Sequence, residues 1–243
     1  MISLLQKEIR SYLSSVIGYV VICVFLLLSG LFMWAFPGNL NTLDKGYSDL
    51  DTLFYIAPWV FMFLIPAITM RSFSEEKRTG TIEMLLTKPI TDMQIVGAKF
   101  FAGLLLVIFS LLPTLVYFVT IYFLGNPVGN IDLGGTFGSY LGLVFLGAGY
   151  TAIGIFGSSL TDNQVVAFII SLFITFFCFF GFGEIGDLSW FGSFDNFIIN
   201  LGINEHYVSM SRGVIDTRDV IYFICFVFIF LLFTKTALQS RKW

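Results

Sequence analysis

Charged side chains are scarce in this chain, and many of them lie in one stretch, residues 71–99, which reads RSFSEEKRTGTIEMLLTKPITDMQIVGAK. Five of the thirteen Lys and Arg residues lie in it, close to Glu75, Glu76 and Glu83. Carboxylates, ammonium groups and guanidinium groups at this density can pair with complementary charges on another protein. These residues therefore suggest recognition of a partner.

The residue sets that enzymes use are missing from the sequence. The one histidine, His206, follows Glu205, and the three cysteines, Cys23, Cys178 and Cys225, have no metal-ligand spacing. No G-x-x-x-x-G-K-[ST] phosphate loop, HExxH or CxxC motif occurs. We expect a protein that is not an enzyme, binds no metal or cofactor, and has His206 as a solvated or packing residue.

The composition is that of a membrane protein. Of 243 residues, 57% are hydrophobic and only 12% are charged. A helix needs about 17–25 apolar residues to cross the bilayer, and six runs fit, near 16–36, 53–70, 98–123, 136–158, 163–183 and 219–237. Their cores contain no Asp, Glu, Lys, Arg or His, which disfavours an ion-coupled carrier or an intramembrane enzyme. The sequence predicts an all-α polytopic membrane protein whose energy comes from a partner.

The basic residues indicate the orientation, because cytoplasmic loops are enriched in Lys and Arg. Six spans place both termini on one side, and only Lys45, Arg212 and Arg218 fall on the other side. The remaining ten fall on the side of the termini: Lys7, Arg10, Arg71, Lys77, Arg78, Lys88, Lys99, Lys235, Arg241 and Lys242. We expect cytoplasmic termini, a cytoplasmic 71–99 stretch, and a net charge of −3 that hides this asymmetry.

Residues 2–13 place Ile2, Leu5, Ile9 and Tyr12 at helical spacing, with Lys7, Glu8 and Arg10 mostly elsewhere. This pattern predicts an amphipathic helix at the inner membrane interface. The alternative is a frayed polar N-terminus. The apolar run that follows lacks a small-x-small cleavage site, so we expect it to remain as a membrane anchor.

The 71–99 stretch has the signals of a folded module. Ser72 followed by Glu75 is a capping-box spacing that predicts one short helix, and Gly80 can end that helix in a left-handed conformation. A second short helix is predicted from Thr81 to about Thr87, before Pro89, with Ile82, Leu85 and Leu86 on one face and Glu83 pointing outward. Thr91 and Gln94 repeat the capping-box spacing and open the third span.

Other signals concern packing and the outer loops. Span four carries small residues four apart, which favour close helix contacts within one subunit or across a dimer: Gly138 and Gly142, Ala148 and Ala152, Gly154 and Ser158. Thr161 or Asp162 is expected to cap the fifth span. In the longest outer loop, residues 190–201 predict a short amphipathic helix. Gly213 and Thr217 are expected to form a turn and cap the sixth span.

The run SEEKRTGTIEMLLTKPITDMQIVGAKF (74–100) resembles the signature of ABC-2-type permeases, the membrane subunits of ABC exporters. The interfacial helix, the six spans and SRGVIDTRDVIYF (211–223) extend the resemblance over essentially the whole chain. It implies a single transmembrane domain over residues 1–243. Its parts would be an interfacial helix at 1–15, spans one and two in 16–70, a coupling module at 71–99, spans three to five in 98–183, an outer loop at 184–217, and the last span with a cytoplasmic tail in 218–243.

The resemblance also implies partners and a site. In that family, the helix around the E-x-x-x-G-T-x-E motif sits in a cleft of a separate ATP-binding subunit, and two permeases pair in the inner membrane. Carried over to this sequence, the ATPase-coupling residues would be Glu75, Glu76, Lys77, Arg78, Gly80, Thr81 and Glu83. Paired permeases of this kind form a pathway that opens alternately as the ATPases close.

More narrowly, the sequence resembles the gliding-motility-associated permease subunit (GldF type) of Bacteroidetes, and it is also similar to the permease of nitrous-oxide-reductase maturation systems. Two other interpretations stay open, one for the function of the chain and one for the charged segment. A membrane anchor of a larger assembly would use the same charged stretch without transporting anything. Alternatively, the EEKR segment would be only a solvated helix end at the membrane surface.

Overall fold

The computed structural model describes residues 2–87, 89–188, 192–213 and 215–240, and within these ranges the chain forms helices joined by turns. Six described segments are long and apolar enough to cross a membrane: Gly18–Ala35, Asp51–Arg78, Asp92–Leu124, Leu133–Leu160, Gln164–Asp187 and Thr217–Gln239. The all-helical fold and the number of spans are therefore confirmed. The second span is longer than predicted because its helix continues into the polar 71–99 stretch, whereas the third begins at Asp92, directly after the predicted cap Thr91.

The helices of the first half fall into three spans and the segments that join them. In chain order they are α1 (Ile2–Ser14), α2 (Val16–Gly30), α3 (Thr42–Lys45), α4 (Asp51–Thr69), α5 (Arg71–Arg78), α6 (Thr81–Leu86), α7 (Asp92–Leu111) and α8 (Leu115–Leu124). A π-helical turn over Leu31–Ala35 extends α2. A 3₁₀ turn over Leu112–Thr114, which contains Pro113, separates α7 from α8, because proline cannot donate the backbone hydrogen bond that an α-helix needs.

The second half contains the other three spans and a folded outer segment. Its helices are α9 (Leu133–Leu160), α10 (Gln164–Phe176), α11 (Phe182–Asp187), α12 (Asp195–Ile199), α13 (Ile203–Ser211) and α14 (Thr217–Gln239). A π-helical turn over Phe177–Gly181 joins α10 to α11.

The central helix is α9, which packs against α4, α7, α10 and α14. Its glycines permit this close contact. A Cβ at Gly147 would lie 2.7 Å from Val107 Cγ1, and a Cβ at Gly154 would collide with the Thr69 hydroxyl. The small residues of span four thus serve packing inside one subunit, one of the two predicted alternatives.

The bundle has two distinct ends. We call the end with α1, α5, α6 and the last turn of α14 the basic end; there Gln239 Nε2 lies 3.1 Å from Asp92 Oδ2. The opposite end, with α3, α13 and the first turn of α14, is called the acidic end. The two ends differ in how their polar groups are held.

Local capping signals were confirmed in part. The Thr91–Gln94 capping box is present at α7, and Gly80 has φ +70°, the predicted left-handed conformation. The Ser72–Glu75 capping box was wrong: α5 follows α4 after the single residue Met70, so Ser72 lies inside a nearly continuous helix and is buried.

Two further caps were also wrong, by one or two residues. Asn163, not Thr161 or Asp162, caps α10 by accepting hydrogen bonds from the N–H groups of Val165 and Val166. Asp216, not Thr217, caps α14 through the N–H of Arg218. In each case the cap is the residue directly before the first helical residue, Gln164 or Thr217, because only from there does a side-chain oxygen reach the first free N–H groups.

The outer loop is folded differently from the prediction. Trp190 and Phe191 lie outside the described residues, and from residue 192 onward the predicted 190–201 helix is replaced by a 3₁₀ turn over Gly192–Phe194 followed by the short α12. The longer helix of this loop is α13, which the sequence analysis did not predict. Its buried residues Ile203, Tyr207 and Met210 pack on the core, so tertiary burial determines where the helix forms.

Candidate functional site

A helical hairpin projects from the basic end of the bundle, and we call it the α5–α6 hairpin (Arg71–Leu86). The hydroxyl of Thr79 closes α5 by donating to the Glu75 carbonyl oxygen at 2.8 Å, and it lies 3.0 Å from the Thr81 hydroxyl. Gly80 then turns the chain into α6. The tip is exposed at Arg78, Thr79, Gly80, Thr81 and Glu83, so it presents both signs of charge to the solvent.

The base of the hairpin rests on a buried cation, Lys99 of α7. Its side chain is only 1% exposed. Lys99 Nζ lies 2.7 Å from the Ser72 carbonyl oxygen, 2.9 Å from Glu76 Oε1 and 3.3 Å from Glu8 Oε1. All three ammonium protons thus have an acceptor. Because Glu8 belongs to α1 and Glu76 to α5, one side chain joins three helices.

The Lys99 cluster, defined as Lys99, Glu8, Glu76 and Lys7, is balanced in charge. Lys7 Nζ lies 3.5 Å from Glu8 Oε1 and 3.7 Å from Glu76 Oε1. Lys99 Nζ also lies 5.0 Å from the centre of the Phe73 ring, within the range of a cation–π contact. Removing one partner of a buried ion pair costs about 3–5 kcal/mol because the remaining charge is left without compensation. The cluster therefore fixes how α1, α5 and α7 meet.

A second attachment joins the hairpin to the central helix α9. Ser158 Oγ accepts hydrogen bonds from the backbone N–H groups of Phe73 at 2.9 Å and Ser74 at 3.1 Å, and it donates to the Met70 carbonyl oxygen at 2.8 Å. Lys77 Nζ donates to the Ser159 carbonyl oxygen. These bonds satisfy backbone groups where α4 gives way to α5. Both residues of α9 thus hold α5 against the core.

Tyr12 adds a link between α1 and α5, since its hydroxyl lies 2.9 Å from Ser72 Oγ. Burial raises the pKa of Tyr12 to about 12. At neutral pH the side chain is therefore an uncharged phenol that can donate this hydrogen bond. It extends the contact between the two helices beyond the Lys99 cluster.

The seven residues that the sequence analysis named do not all face outward. Glu76 and Lys77 point toward the bundle, where they contact Lys99 and Ser159, and Glu75 is half-buried. The other four lie at the exposed tip: Arg78, Gly80, Thr81 and Glu83. Among the predicted apolar residues of α6, Ile82 packs on the core, and the side chains of Leu85 and Leu86 lie outside the described part of the structure.

The sequence analysis missed three residues of the site: Lys99, Glu8 and Ser158. Glu8 had been placed away from the apolar face of the first helix, yet it is buried together with Leu4. Their spacing of four puts both on one helix face. For Lys99 the available signal was a single cation in an apolar helical run, with Val96 and Phe100 buried beside it. A buried cation of this kind requires a carboxylate partner.

The acidic end holds a different polar cluster around His206 of α13. Its Nδ1 atom lies 2.7 Å from Asp219 Oδ1, and Nε2 lies 2.9 Å from the Asn200 carbonyl oxygen. The imidazole ring stacks on Tyr222 with ring centres 3.8 Å apart. His206 is therefore a packing residue, one of the two predicted roles. No group of three or more His, Cys, Asp or Glu residues that could hold a metal occurs within the described ranges.

These features define a class: a polytopic helical membrane protein with a charged hairpin anchored at one end of its bundle. The family model described as ABC-2 family transporter protein matches residues 2–189. The match covers most of the chain, so the chain belongs to this family. It is a permease-type membrane component of an ABC transporter and not the catalytic subunit. A comparison with curated proteins gives no match.

Proposed function

We propose that the α5–α6 hairpin docks on a separate ATP-binding subunit and passes that subunit's movements to the membrane helices. The observation that carries the proposal is an exposed, charged tip on a base that is bound to three other helices. Arg78 and Glu83 would pair with charges on the ATP-binding subunit, since both are exposed. Glu75, which is half-buried on the side of the hairpin, would orient this contact without pairing directly with the partner.

The buried contacts supply a route for force. A displacement of the hairpin acts on α1 and α7 through Lys99, and on α9 through Ser158 and Ser159. Because packed helices respond as rigid elements with discrete arrangements, such a displacement favours rigid-body movement over local bending. Two permeases arranged as a pair would then open a pathway between them to alternate sides.

The charge distribution supports a cytoplasmic position for the hairpin and the termini in a bacterial inner membrane. Among the Lys and Arg residues in the described ranges, seven lie at the basic end or next to it, and Lys45, Arg212 and Arg218 lie at the opposite end. The resemblance of residues 74–100 supports a role in gliding motility or surface secretion. A nitrous-oxide-reductase maturation system is the alternative for the same sequence pattern.

The test is co-purification from the native membrane with a charge-swapped tip. The variant Arg78→Glu/Glu83→Lys keeps the net charge and alters only exposed residues. The matched control is Arg10→Glu, an exposed charge on α1 outside the hairpin. Wild type and control should retain an ATP-binding cassette protein, and the swapped variant should lose it by about tenfold or more, as expected when two charge pairs become repulsive.

Two results would count against the proposal. If the swapped variant retains the ATP-binding protein at the wild-type level, the tip is not the docking surface. If wild type retains other membrane proteins but no ATP-binding cassette protein, the chain acts as a membrane anchor instead. Vesicles that contain the complex would separate these roles further, because an anchor shows no ATP-dependent movement of cargo.

A further inference from the structure

A polar cavity of about 330 Å³ lies between α1 and α5 at the basic end. Six charged side chains line it, three cationic and three anionic: Lys7, Arg71 and Lys99, and Glu8, Glu75 and Glu76. The equal numbers give the cavity no excess of either sign. Such a lining suits a ligand that carries both a positive and a negative group, and it disfavours a simple anion or cation.

Within the described residues, two of these charged side chains form no ion pair, and one carboxylate oxygen has no hydrogen-bond partner. Lys99 and Lys7 pair with Glu8 and Glu76 through the Oε1 atoms. Arg71 and Glu75 form no ion pair within the described residues. Glu76 Oε2 is buried and has no hydrogen-bond partner in the same part of the chain. A buried acceptor without a donor is unfavourable, so a donor from a ligand would stabilise it.

The cavity lies at the level where the apolar spans begin. Ser15, the residue between α1 and α2, lines it, and so does Ile68 in the last turn of α4. Residues at this depth meet the headgroups of membrane lipids, because the hydrocarbon core starts where the apolar helices start. The apolar cluster of Val21, Ile68 and Leu106 continues below it along the spans.

We propose that this cavity binds the phosphoethanolamine headgroup of a membrane lipid. The guanidinium of Arg71 binds the phosphate, for which its paired donors are well suited. The ammonium group donates hydrogen bonds to Glu75 and to Glu76 Oε2. A choline headgroup has no N–H donor, and a glycerol headgroup has no positive charge. The lipid would join α1 to α5, and this binding does not depend on the proposed docking of an ATP-binding subunit.

The experiment uses the purified full-length permease in detergent without any partner. Phosphatidylethanolamine, phosphatidylcholine and phosphatidylglycerol with identical acyl chains are added in equal amounts, and retained lipid is counted by native mass spectrometry. The variants Arg71→Gln and Glu75→Gln test the two unpaired charges. Arg10→Gln and Glu83→Gln are controls, because both residues are exposed at the basic end and neither lines the cavity.

Wild type and both controls should retain phosphatidylethanolamine about tenfold more than either other lipid, the effect of one charge-assisted hydrogen bond. Glu75→Gln should lose this preference, because Glu75 accepts from the ammonium group. Arg71→Gln should instead retain less of all three lipids than the controls do, because all three carry the phosphate. Because Glu75→Gln is judged by the ratio between lipids, a general loss of stability does not mimic its result. Equal retention of the three lipids by wild type would overturn the proposal, as would an unchanged preference in Glu75→Gln or unchanged retention in Arg71→Gln.

Soluble glycerophosphoethanolamine distinguishes a lipid site from a site for a small zwitterion. We expect it to displace the lipid only at a large excess, because it lacks the acyl chains that pack along the spans. If it binds as tightly as the lipid, the assignment to a membrane lipid is overturned.

Discussion

Each end of the bundle contains a polar side-chain contact that joins separate helices, but the acceptor groups are satisfied differently at the two ends. At the basic end Lys99 gives all its protons to acceptors from α1 and α5. At the acidic end Asp219 of α14 meets His206 through one oxygen, and its Oδ2 atom is buried without a partner within the described residues. The helix contacts of the basic end therefore depend more strongly on Lys99 than those of the acidic end depend on His206.

The glycine turns at the two ends also differ, in how closely other atoms pack around them. Gly80, at the tip of the α5–α6 hairpin, has φ +70° and no atom within 4 Å of the place where a Cβ would lie. Gly213, between α13 and α14, has φ +82°, and a Cβ there would lie 2.6 Å from Gly135 Cα. The basic end presents a free tip on a fixed base, whereas the acidic end is closed by packed backbone. This contrast fits a surface for contact with another protein at the basic end and a tightly packed, closed turn at the acidic end.

The largest expected effect is the removal of the buried cation. Lys99→Met keeps the length of the side chain and leaves Glu8 and Glu76 without their main partner. We expect the free energy of unfolding to fall by about 3–5 kcal/mol, the usual result of leaving a buried charge uncompensated. Unfolding in mixed detergent and SDS micelles measures this change.

The control replaces the whole set. In Lys99→Met/Glu8→Met/Glu76→Met no buried charge is left unpaired, and apolar side chains of similar volume fill the space. Most of the lost stability should return, since such replacements are often neutral or stabilising. A triple variant as unstable as Lys99→Met would mean that the Lys99 cluster contributes through packing of the methylene groups and not through charge.

Much of the fold followed from hydropathy and from a few turn residues. The six spans, the turn at Gly80 and the cap at Thr91 were correct because each depends on local chemistry that the sequence states directly. The capping box at Ser72 failed because α4 and α5 are nearly continuous, so the helix needed no new start. Local spacing cannot reveal that a preceding helix has not ended.

The candidate site was only half predictable. The charges of residues 75–83 were visible as a cluster, but which of them turn inward depends on partners far away in sequence. Glu76 forms an ion pair with Lys99, and Lys77 donates a hydrogen bond to the Ser159 carbonyl oxygen of α9. The burial of Glu8 has the same cause, since its partner Lys99 lies on another helix. Contacts across such distances are set by tertiary packing, which periodicity does not encode.

The two glycine turns give the next prediction. Gly213→Ala should lower the free energy of unfolding by about 2–4 kcal/mol, because it combines a strained left-handed conformation with a collision against Gly135. Gly80→Ala is the matched control at a similar φ with free space around it, and we expect a loss of about 1–2 kcal/mol. Equal losses at the two positions would show that the acidic end is not closed by close packing of its turn.

The smallest effect is expected for the contact between His206 and Asp219 at the acidic end. His206 Nδ1 and Nε2 each face an acceptor oxygen, and the ring stacks on Tyr222. His206→Gln removes the stacked ring and keeps at most one of the two hydrogen bonds, so we expect the free energy of unfolding to fall by about 1–3 kcal/mol.

The contribution of the His206–Asp219 hydrogen bond itself is measured by a double-mutant cycle with Asp219→Asn. A coupling energy of about 1 kcal/mol is expected for a partly buried hydrogen bond of this kind. Additive effects of the two substitutions would show that His206 stabilises α13 through the Tyr222 stack alone.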